Sequence, residues 1–312
     1  MNVAFWDNQL CERGTTTSLF DYAFFNQAIL GNRSFVFFDA HTYSHPDIIH
    51  KFKTHFVVHD THHFSEVDTL LLKYHINHIY IIKGGAIDSR ISKVAKNCIH
   101  CVFNCYQPHG DVYSSISPSV KGNDNKYPVV PHMINLPSHD RNLRRQLKIP
   151  DNAIVFGGYG GKDSFDIKFV QNIVYQVAQN NLNIYFLFAN FNTFCPKLPN
   201  IIHLPTITGL DDKVAFINTC DANLWARSIG ETFGLTIGEF STKNKPVIAM
   251  KIGDLAHADI LGDNAFWYHD DLSLLSILLN FNPNDARLQN WNAYTDYTPE
   301  KVMQIFKKTF LD

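Results

Sequence analysis

Two glutamates eight positions apart frame the most informative stretch of the chain, Gly230-Glu231-Thr232-Phe233-Gly234-Leu235-Thr236-Ile237-Gly238-Glu239-Phe240. The apolar run Ala222–Trp225 before it reads as a strand, and Leu235–Thr242 reads as a helix. Glu231 then falls in the loop after the strand, and Glu239 lies about one turn into the helix. In open α/β sheets ligands bind outside the carboxyl ends of the strands, which is where this turn falls. Free N–H groups at the start of the helix suit a phosphate. A carboxylate that accepts two hydrogen bonds suits the vicinal hydroxyls of a ribose or a sugar. An isolated pair at this spacing would read as two solvated surface glutamates. The Gly-containing turn, the strand before it and the strand Lys245-Pro246-Val247-Ile248-Ala249 after it favour a binding site.

Other groupings carry less. Gly157-Gly158-Tyr159-Gly160-Gly161-Lys162 follows the strand Ile154–Phe156. By itself it reads equally as a phosphate-cradling turn or as a tight strand-to-helix connection. Cys11-Glu12-Arg13-Gly14-Thr15-Thr16-Thr17 follows the first strand and opens a helix. Gly14 permits close backbone approach, and Thr15 and Thr16 offer hydroxyl donors to a phosphate or an acceptor. A plain Thr-capped helix start is the equal alternative. Cys98-x2-Cys101-x3-Cys105, with His100, imitates a metal site. Cys101 lies in an apolar strand run, where a free thiol is usually a small buried hydrophobe and alternate residues point to opposite faces, so no metal site is expected. Of the 16 histidines, His59, His62 and His63 read as a surface loop. Asp140–Lys148 is a basic amphipathic segment, read first as a solvated helix face and second as a membrane-surface contact.

The elements that position these residues are short apolar runs alternating with helix-period segments. Val3–Trp6, Phe35–Phe38, Phe56–Val58, Ile79–Ile82 and Cys101–Phe103 read as buried strands. Thr17–Leu30 reads as a Thr-capped helix closed by Gly31. After Pro150 the pattern restarts: strand Ile154–Phe156, helix Ser164–Gln179, strand Ile184–Phe188, helix Val214–Thr219, and then the glutamate region. Such alternation implies α/β architecture with parallel sheets covered on both faces. One restart implies two doubly wound, Rossmann-like domains, placed at residues 1–136 and 137–297. Thr298-Pro299-Glu300 starts a last helix, 298–312, with Val302, Ile305, Phe306 and Phe310 on one apolar face.

The 312 residues are 45% hydrophobic and 18% charged, a globular composition. With 27 basic and 29 acidic side chains, the net charge of −2 gives no footprint for nucleic acid. No apolar run approaches bilayer length and no signal peptide is evident. Six cysteines in a chain this long are not a disulfide framework. A cytoplasmic protein is expected, in which the sequon Asn32-Arg33-Ser34 has no meaning.

The glutamate region resembles the E-x7-E region of the retaining glycosyltransferases of family 4, which have the two-domain GT-B fold. Asp221-Ala222-Asn223-Leu224-Trp225-Ala226-Arg227 resembles the strand leading into it. Val129-Val130-Pro131-His132-Met133-Ile134 and Leu143–Lys148 with Ile149-Pro150-Asp151 resemble the segments between the domains. The resemblance is detailed over about residues 130–250 and looser before. It implies two domains facing a cleft, with the last helix crossing back to the first. It implies transfer of a sugar from a nucleotide diphosphate sugar, UDP- or GDP-linked, to a hydroxyl of a glycan, lipid or protein-linked acceptor, with retained configuration. Glu231 would contact the donor sugar and Glu239 the ribose. Thr232, Phe233, Gly234 and Leu235 would line the sugar and diphosphate, with Gly160 and Gly161 beside them, and Gly14, Thr15 and Thr16 would line the cleft. His109 would meet the sugar, with His132 a weaker candidate. The family holds the diphosphate with an Arg and a Lys. Lys162 fills the Lys position, but Tyr159 stands about where the Arg is usual, and Arg227 is the candidate to replace it. Arg227 paired with a carboxylate such as Glu231 is the competing reading. No cofactor is implied, and no Asp-x-Asp metal signature is present. A nucleotide-sugar epimerase, a sugar phosphorylase and a non-catalytic nucleotide-sugar-binding protein are the alternatives. The base, sugar, acceptor and oligomeric state are not fixed by these residues.

Overall fold

The computed structural model describes residues 1–312, which divide into two compact units: Met1–Met133 with Asp296–Asp312, and Ile134–Thr295. The first runs β1 (Asn2–Asp7), α1 (Gly14–Ala28), β2 (Arg33–Asp39), α2 (Pro46–Lys53), β3 (Val57–Thr61), α3 (Phe64–Lys73), β4 (His78–Lys83), β5 (Lys96–Cys101) and β6 (Val112–Ser115). These strands form one parallel sheet in the order β3-β2-β1-β4-β5-β6. Its central strands are buried almost end to end, as near-continuous apolar runs in a covered parallel sheet should be.

The second unit runs β7 (Ile154–Tyr159), α4 (Lys168–Asn180), β8 (Ile184–Ala189), β9 (Ile201–Leu204), α5 (Leu210–Thr219), β10 (Ala222–Leu224), β11 (Gly230–Glu231), α6 (Leu235–Thr242), β12 (Val247–Ala249), β13 (Asp254–Leu255), α7 (Ala256–Leu261), β14 (Ala265–Trp267), α8 (Asp271–Asn280) and α9 (Pro283–Ala286). A second six-stranded parallel sheet has the order β14-β12-β10-β7-β8-β9, and β11 pairs with β13 apart from it. β8 shows the two-layer covering. Phe186 and Phe188 pack with Val170, Val174 and Val177 of α4 and Leu274 and Leu278 of α8. Leu187 and Ala189 pack with Phe216 and Ile217 of α5 and Phe240 of α6. Both sheets are therefore doubly wound, the fold class read from the sequence.

Several element boundaries differ from the expectation. α1 begins at Gly14, not Thr17, and its N-cap is Arg13 without a side-chain cap bond. Of the threonine hydroxyls only that of Thr17 is used inside the first turn, donating back to the Arg13 carbonyl at 3.3 Å. The apolar run 101–103 is the end of a strand and not its body. Pairing with β4 stops at Cys101, and Phe103 is half exposed. Residues 140–148 form turns rather than a helix. Arg144 fixes them by donating to the carbonyls of Pro150 and Ala153 and to the carboxylate of Asp221, the last at 2.8 Å. No helix is long and apolar enough to cross a membrane.

The chain ends in α10 (Pro299–Phe306), capped by Thr298, and a π-helical turn, Lys307–Leu311. This end belongs to the first unit. Phe306 stacks on Tyr22 at 5.1 Å and Phe5 at 6.2 Å, and Phe310 meets Tyr80 at 5.5 Å edge-on. The buried face is Val302, Met303, Phe306 and Phe310, while Ile305 is 38% exposed. Met303 thus takes the place expected of Ile305. Beneath lie two buried histidines. His100 shares Nδ1 with the Tyr80 hydroxyl at 2.6 Å, and His132 lies beside Tyr22. Burial lowers the pKa of His100 to about 3 and pushes that of His132 well below its ordinary value.

Two outcomes follow. Phe306→Ala should cost about 3–5 kcal/mol in urea unfolding, as large-to-small core changes of an aromatic do. A chain ended at Thr298 should melt lower still, and an unchanged melting temperature would show that the last helix is not part of the core. The histidines set a pH dependence. Above the unfolded-state pKa near 6.5 both states are neutral and nothing is lost. Below it only the unfolded chain takes up the proton, so His100 should remove about 1.4 kcal/mol of stability per pH unit down to its folded value. His100→Gln should flatten the slope between pH 6.5 and 4.5, and an equal slope in both proteins would contradict this.

Candidate functional site

The second sheet reverses its strand order at β7. The chain builds β8 and β9 outward on one side, then returns to lay β10, β12 and β14 on the other. The two loops leaving the carboxyl ends of β7 and β10 diverge there, at the point where open parallel sheets bind ligands. The glutamate region leaves β10 and the Gly-rich turn leaves β7.

Glu231 sits in β11. Gly230 has φ +74°, and a Cβ on it would lie 2.3 Å from the backbone nitrogen of Asp254, so the pairing with β13 admits only glycine. The carboxylate is held on both sides. Trp225 Nε1 donates to Oε1 at 3.0 Å, and an Arg227 amine donates to Oε2 at 3.0 Å. Trp225 packs on His257 with ring centres 4.5 Å apart. His257 Nε2 is 3.0 Å from the Met250 carbonyl, and burial lowers its pKa. Trp225 and His257 were not anticipated, because nothing in local spacing links β10 to α7.

Thr232 and Phe233 form the bend after β11. The Phe233 carbonyl accepts from the Tyr294 hydroxyl at 2.9 Å. Gly234 adopts φ +85°, and Leu235 opens α6 with no side-chain cap on the helix. The first-turn N–H groups of α6 thus lack a protein cap, the arrangement that receives anions. Thr236 Oγ1 donates to the Tyr159 carbonyl at 3.1 Å and fastens this helix end to the end of β7.

Glu239 side chain is only 7% exposed. Lys213 Nζ donates to its Oε1 at 2.8 Å, and the Tyr159 hydroxyl donates to Oε2 in a short hydrogen bond. Burial first, and the charge of Glu239 second, push the Tyr159 pKa well above its ordinary value, so the tyrosine stays a donor. Lys213 comes from α5, 26 positions before Glu239; only the tertiary fold joins them. Gly160 is held by Asn190, whose side-chain amide donates to its carbonyl at 2.6 Å. Gly161 and Lys162 are exposed, and the Lys162 ammonium makes no hydrogen bond or ion pair.

In the first unit the same reversal occurs between β1 and β4. Gly14 is the exposed first residue of α1. Thr16 donates within the fold, with Asp7 Oδ2 at 3.1 Å and the Gln9 carbonyl at 3.2 Å, and is not free for a ligand. Thr15 Oγ1 is buried without a partner. The buried carboxylate of Asp7 also pairs with Arg13, and burial outweighs that charge, so its pKa is raised. His109 is engaged on both ring nitrogens: Nδ1 lies 2.7 Å from the Gln107 carbonyl and Nε2 lies 3.1 Å from Lys83 Nζ. A carbonyl only accepts and an ammonium only donates, so Nδ1 carries the proton and Nε2 accepts. Lys83 also donates to Asp88 at 2.6 Å. The structure therefore gives His109 a protein partner where a sugar hydroxyl was expected. Cys98 faces the Phe310 carbonyl and Cys101 the Asn104 carbonyl, and burial raises the Cys98 thiol to about 12.

No protein-family model matches the chain, and no curated protein does. Solved structures do. A glycosyltransferase from Rickettsia africae matches with TM-score 0.70 at 14% identity, over 99% of this chain and 98% of that one. HepE from Anabaena, in complex with UDP-glucose, matches with TM-score 0.69 at 14% identity, over 99% and 95%. WaaG, a glycosyltransferase involved in lipopolysaccharide biosynthesis, matches with TM-score 0.66 at 10% identity, over 99% and 100%. The chain thus has the GT-B fold of these glycosyltransferases.

The Gly230 geometry is open to a direct check. Gly230→Ala should be more destabilising than Gly31→Ala, which meets the same positive φ but open space. The control should cost about 1–2 kcal/mol for the left-handed backbone alone. Equal losses in thermal unfolding would show that the β11–β13 pairing yields to a side chain.

Proposed function

We propose that the protein is a glycosyltransferase that moves a sugar from a nucleotide diphosphate sugar to an acceptor hydroxyl with retention of configuration. The observation that carries this is the juxtaposition at the carboxyl edge of the second sheet: an uncapped helix start at Gly234 between two fixed carboxylates, Glu231 and Glu239. The UDP-glucose complex of HepE supports a nucleotide sugar as the donor class. The N–H groups of α6 would receive the diphosphate, Glu239 the ribose hydroxyls and Glu231 the donor sugar. Loops of the first unit would recognise the acceptor, which carries a sugar on a glycan, lipid or protein.

The demanding step is departure of the nucleoside diphosphate, on which negative charge grows. Preorganised N–H groups and fixed cations stabilise that charge without reorganisation. Lys162 is the ready cation, since it has no protein partner, and Arg227 is the second. Both make a divalent metal unnecessary in this reading. The six free thiols fit a reducing compartment, and we place the protein in the cytoplasm.

Incubation with UDP-, GDP- and ADP-sugars tests the reading. Nucleoside diphosphate released only with an acceptor indicates transfer. An isomerised nucleotide sugar would indicate an epimerase, sugar phosphate released with phosphate a phosphorylase, and saturable binding without product a binding protein. The anomeric coupling of the first-formed product by NMR decides retention. Excess chelator should leave turnover intact. Glu231→Gln should lower kcat by roughly ten- to a hundredfold, the loss of a hydrogen bond to a charged group, with little change in affinity for the free nucleotide. Lys162→Met should lower kcat by about 10²–10³, the cost of removing one preorganised donor. Wild-type turnover in both would refute the site.

A further inference from the structure

The surroundings of Glu239 specify its ligand more narrowly than the motif does. A carboxylate offers about four lone-pair positions, two on each oxygen. Lys213 takes one on Oε1 and Tyr159 takes one on Oε2. One position is left on each oxygen, and both can only accept. The group cannot turn freely to offer another pair. Its side chain is 7% exposed and that of Lys213 is 14% exposed, so rotation would separate an ion pair largely removed from water. The Tyr159 ring is itself wedged, 5.4 Å from Phe216 edge-on and 5.9 Å from Phe240. Lys213 Nζ lies 5.6 Å from the centre of that ring, so lysine, tyrosine and glutamate brace one another. Thr236 ties the Tyr159 backbone to the start of α6. The carboxylate therefore has a set orientation relative to the anion-receiving helix end.

We propose that Lys213 and Tyr159 are positioning residues that fix Glu239 as a two-acceptor fork for a vicinal diol, so that the site selects ribonucleotides over 2′-deoxyribonucleotides. The proposal rests on the reading that Glu239 meets the ribose of a nucleoside diphosphate. Two hydroxyls on adjacent carbons fill both remaining positions. Loss of one leaves a buried charged acceptor unpaired, which is penalised far more than a missing exposed contact. Lys213 acts through Glu239, to which its largely buried ammonium donates.

Calorimetric titration with UDP, GDP, ADP and their 2′-deoxy counterparts tests this. The wild-type protein should bind at least one ribonucleotide, and bind its 2′-deoxy form about ten- to a hundredfold more weakly. Lys213→Met should bring that ratio close to one by weakening the ribonucleotide and hardly changing the deoxynucleotide. Lys213→Arg should restore it. Tyr159→Phe keeps the ring packing and should reduce the ratio by itself, so the test survives if Lys213→Met fails to fold. A merely structural role would weaken both ligands together and leave the ratio unchanged in either variant; that result overturns the proposal. Equal wild-type affinity for the two forms overturns it as well and leaves the nucleotide reading standing. A wild-type protein that binds none of the six refutes the nucleotide reading and the proposal with it.

Discussion

The candidate site of the second unit depends on the pairing of β7 with β10, two parallel strands from which the sheet grows in opposite directions. Ala222 and Asn223 register with Phe156 and Gly157, so the ends of the two strands are level and their loops part. Asn223 seals the junction by donating to the Gly157 carbonyl at 2.9 Å. Two positions of β7 exclude a side chain: a Cβ at Gly157 would lie 2.3 Å from the Cys220 sulfur, and one at Gly158 would lie 2.9 Å from the Leu224 carbonyl. Gly157 therefore serves the close approach of Cys220 at the end of α5, and Gly158 that of β10. The strand expected to end at Phe156 runs on to Tyr159, so the turn of the Gly-rich run begins only at Gly160.

The charges at the two ends of this sheet are managed differently. At the amino end, Asp221 accepts from Arg144 at 2.8 Å, lies 3.4 Å from Arg287 and also takes the Val155 N–H at 2.9 Å. With three donors, that carboxylate anchors the segment 140–148 through Arg144. At the carboxyl end, each glutamate has two donors and retains acceptor capacity, and Lys162 has no partner at all. A buried ion pair contributes little net stability after desolvation, yet breaking it is costly. Such pairs are poor devices for holding a fold together and good ones for holding a carboxylate in one orientation. The same holds for Asp7 with Arg13 at the corresponding edge of the first sheet.

What the sequence reveals follows from how far each interaction reaches along the chain. The doubly wound class, α6 to the residue and most strand cores were legible, because apolar runs and their spacing are local. The start of α1 was misplaced because three threonines look like caps, while the backbone leaves its extended path at Arg13 and Thr16 serves Asp7 instead. Strands β6, β9 and β14 span only three or four residues and gave no signal. The glutamates were legible through a motif, but their partners were not. Lys213, Trp225, His257 and Tyr294 reach the site from α5, the end of β10, α7 and the segment after α9, and no periodicity links such positions. Tyr159 had a signal of another kind: it departs from the resembled pattern at the position of an expected cation.

That departure makes sense once the partners are placed. Tyr159 is not a failed phosphate ligand; it donates to Glu239, and the cation beside that carboxylate is Lys213. In the proposed reading the phosphate then needs positive charge from elsewhere. Arg227 pairs with Glu231 at 3.0 Å, which looks at first like commitment to a structural role. A guanidinium has five N–H donors, and this contact uses one. The side chain is 29% exposed, so the remaining donors are not sealed away. Pairing with Glu231 and contact with a phosphate are therefore compatible, and the first would prepare the second by fixing the planar fork before ligand arrives. The two readings of Arg227 are therefore not exclusive within the proposed site: an arginine held by Glu231 would be a preorganised one.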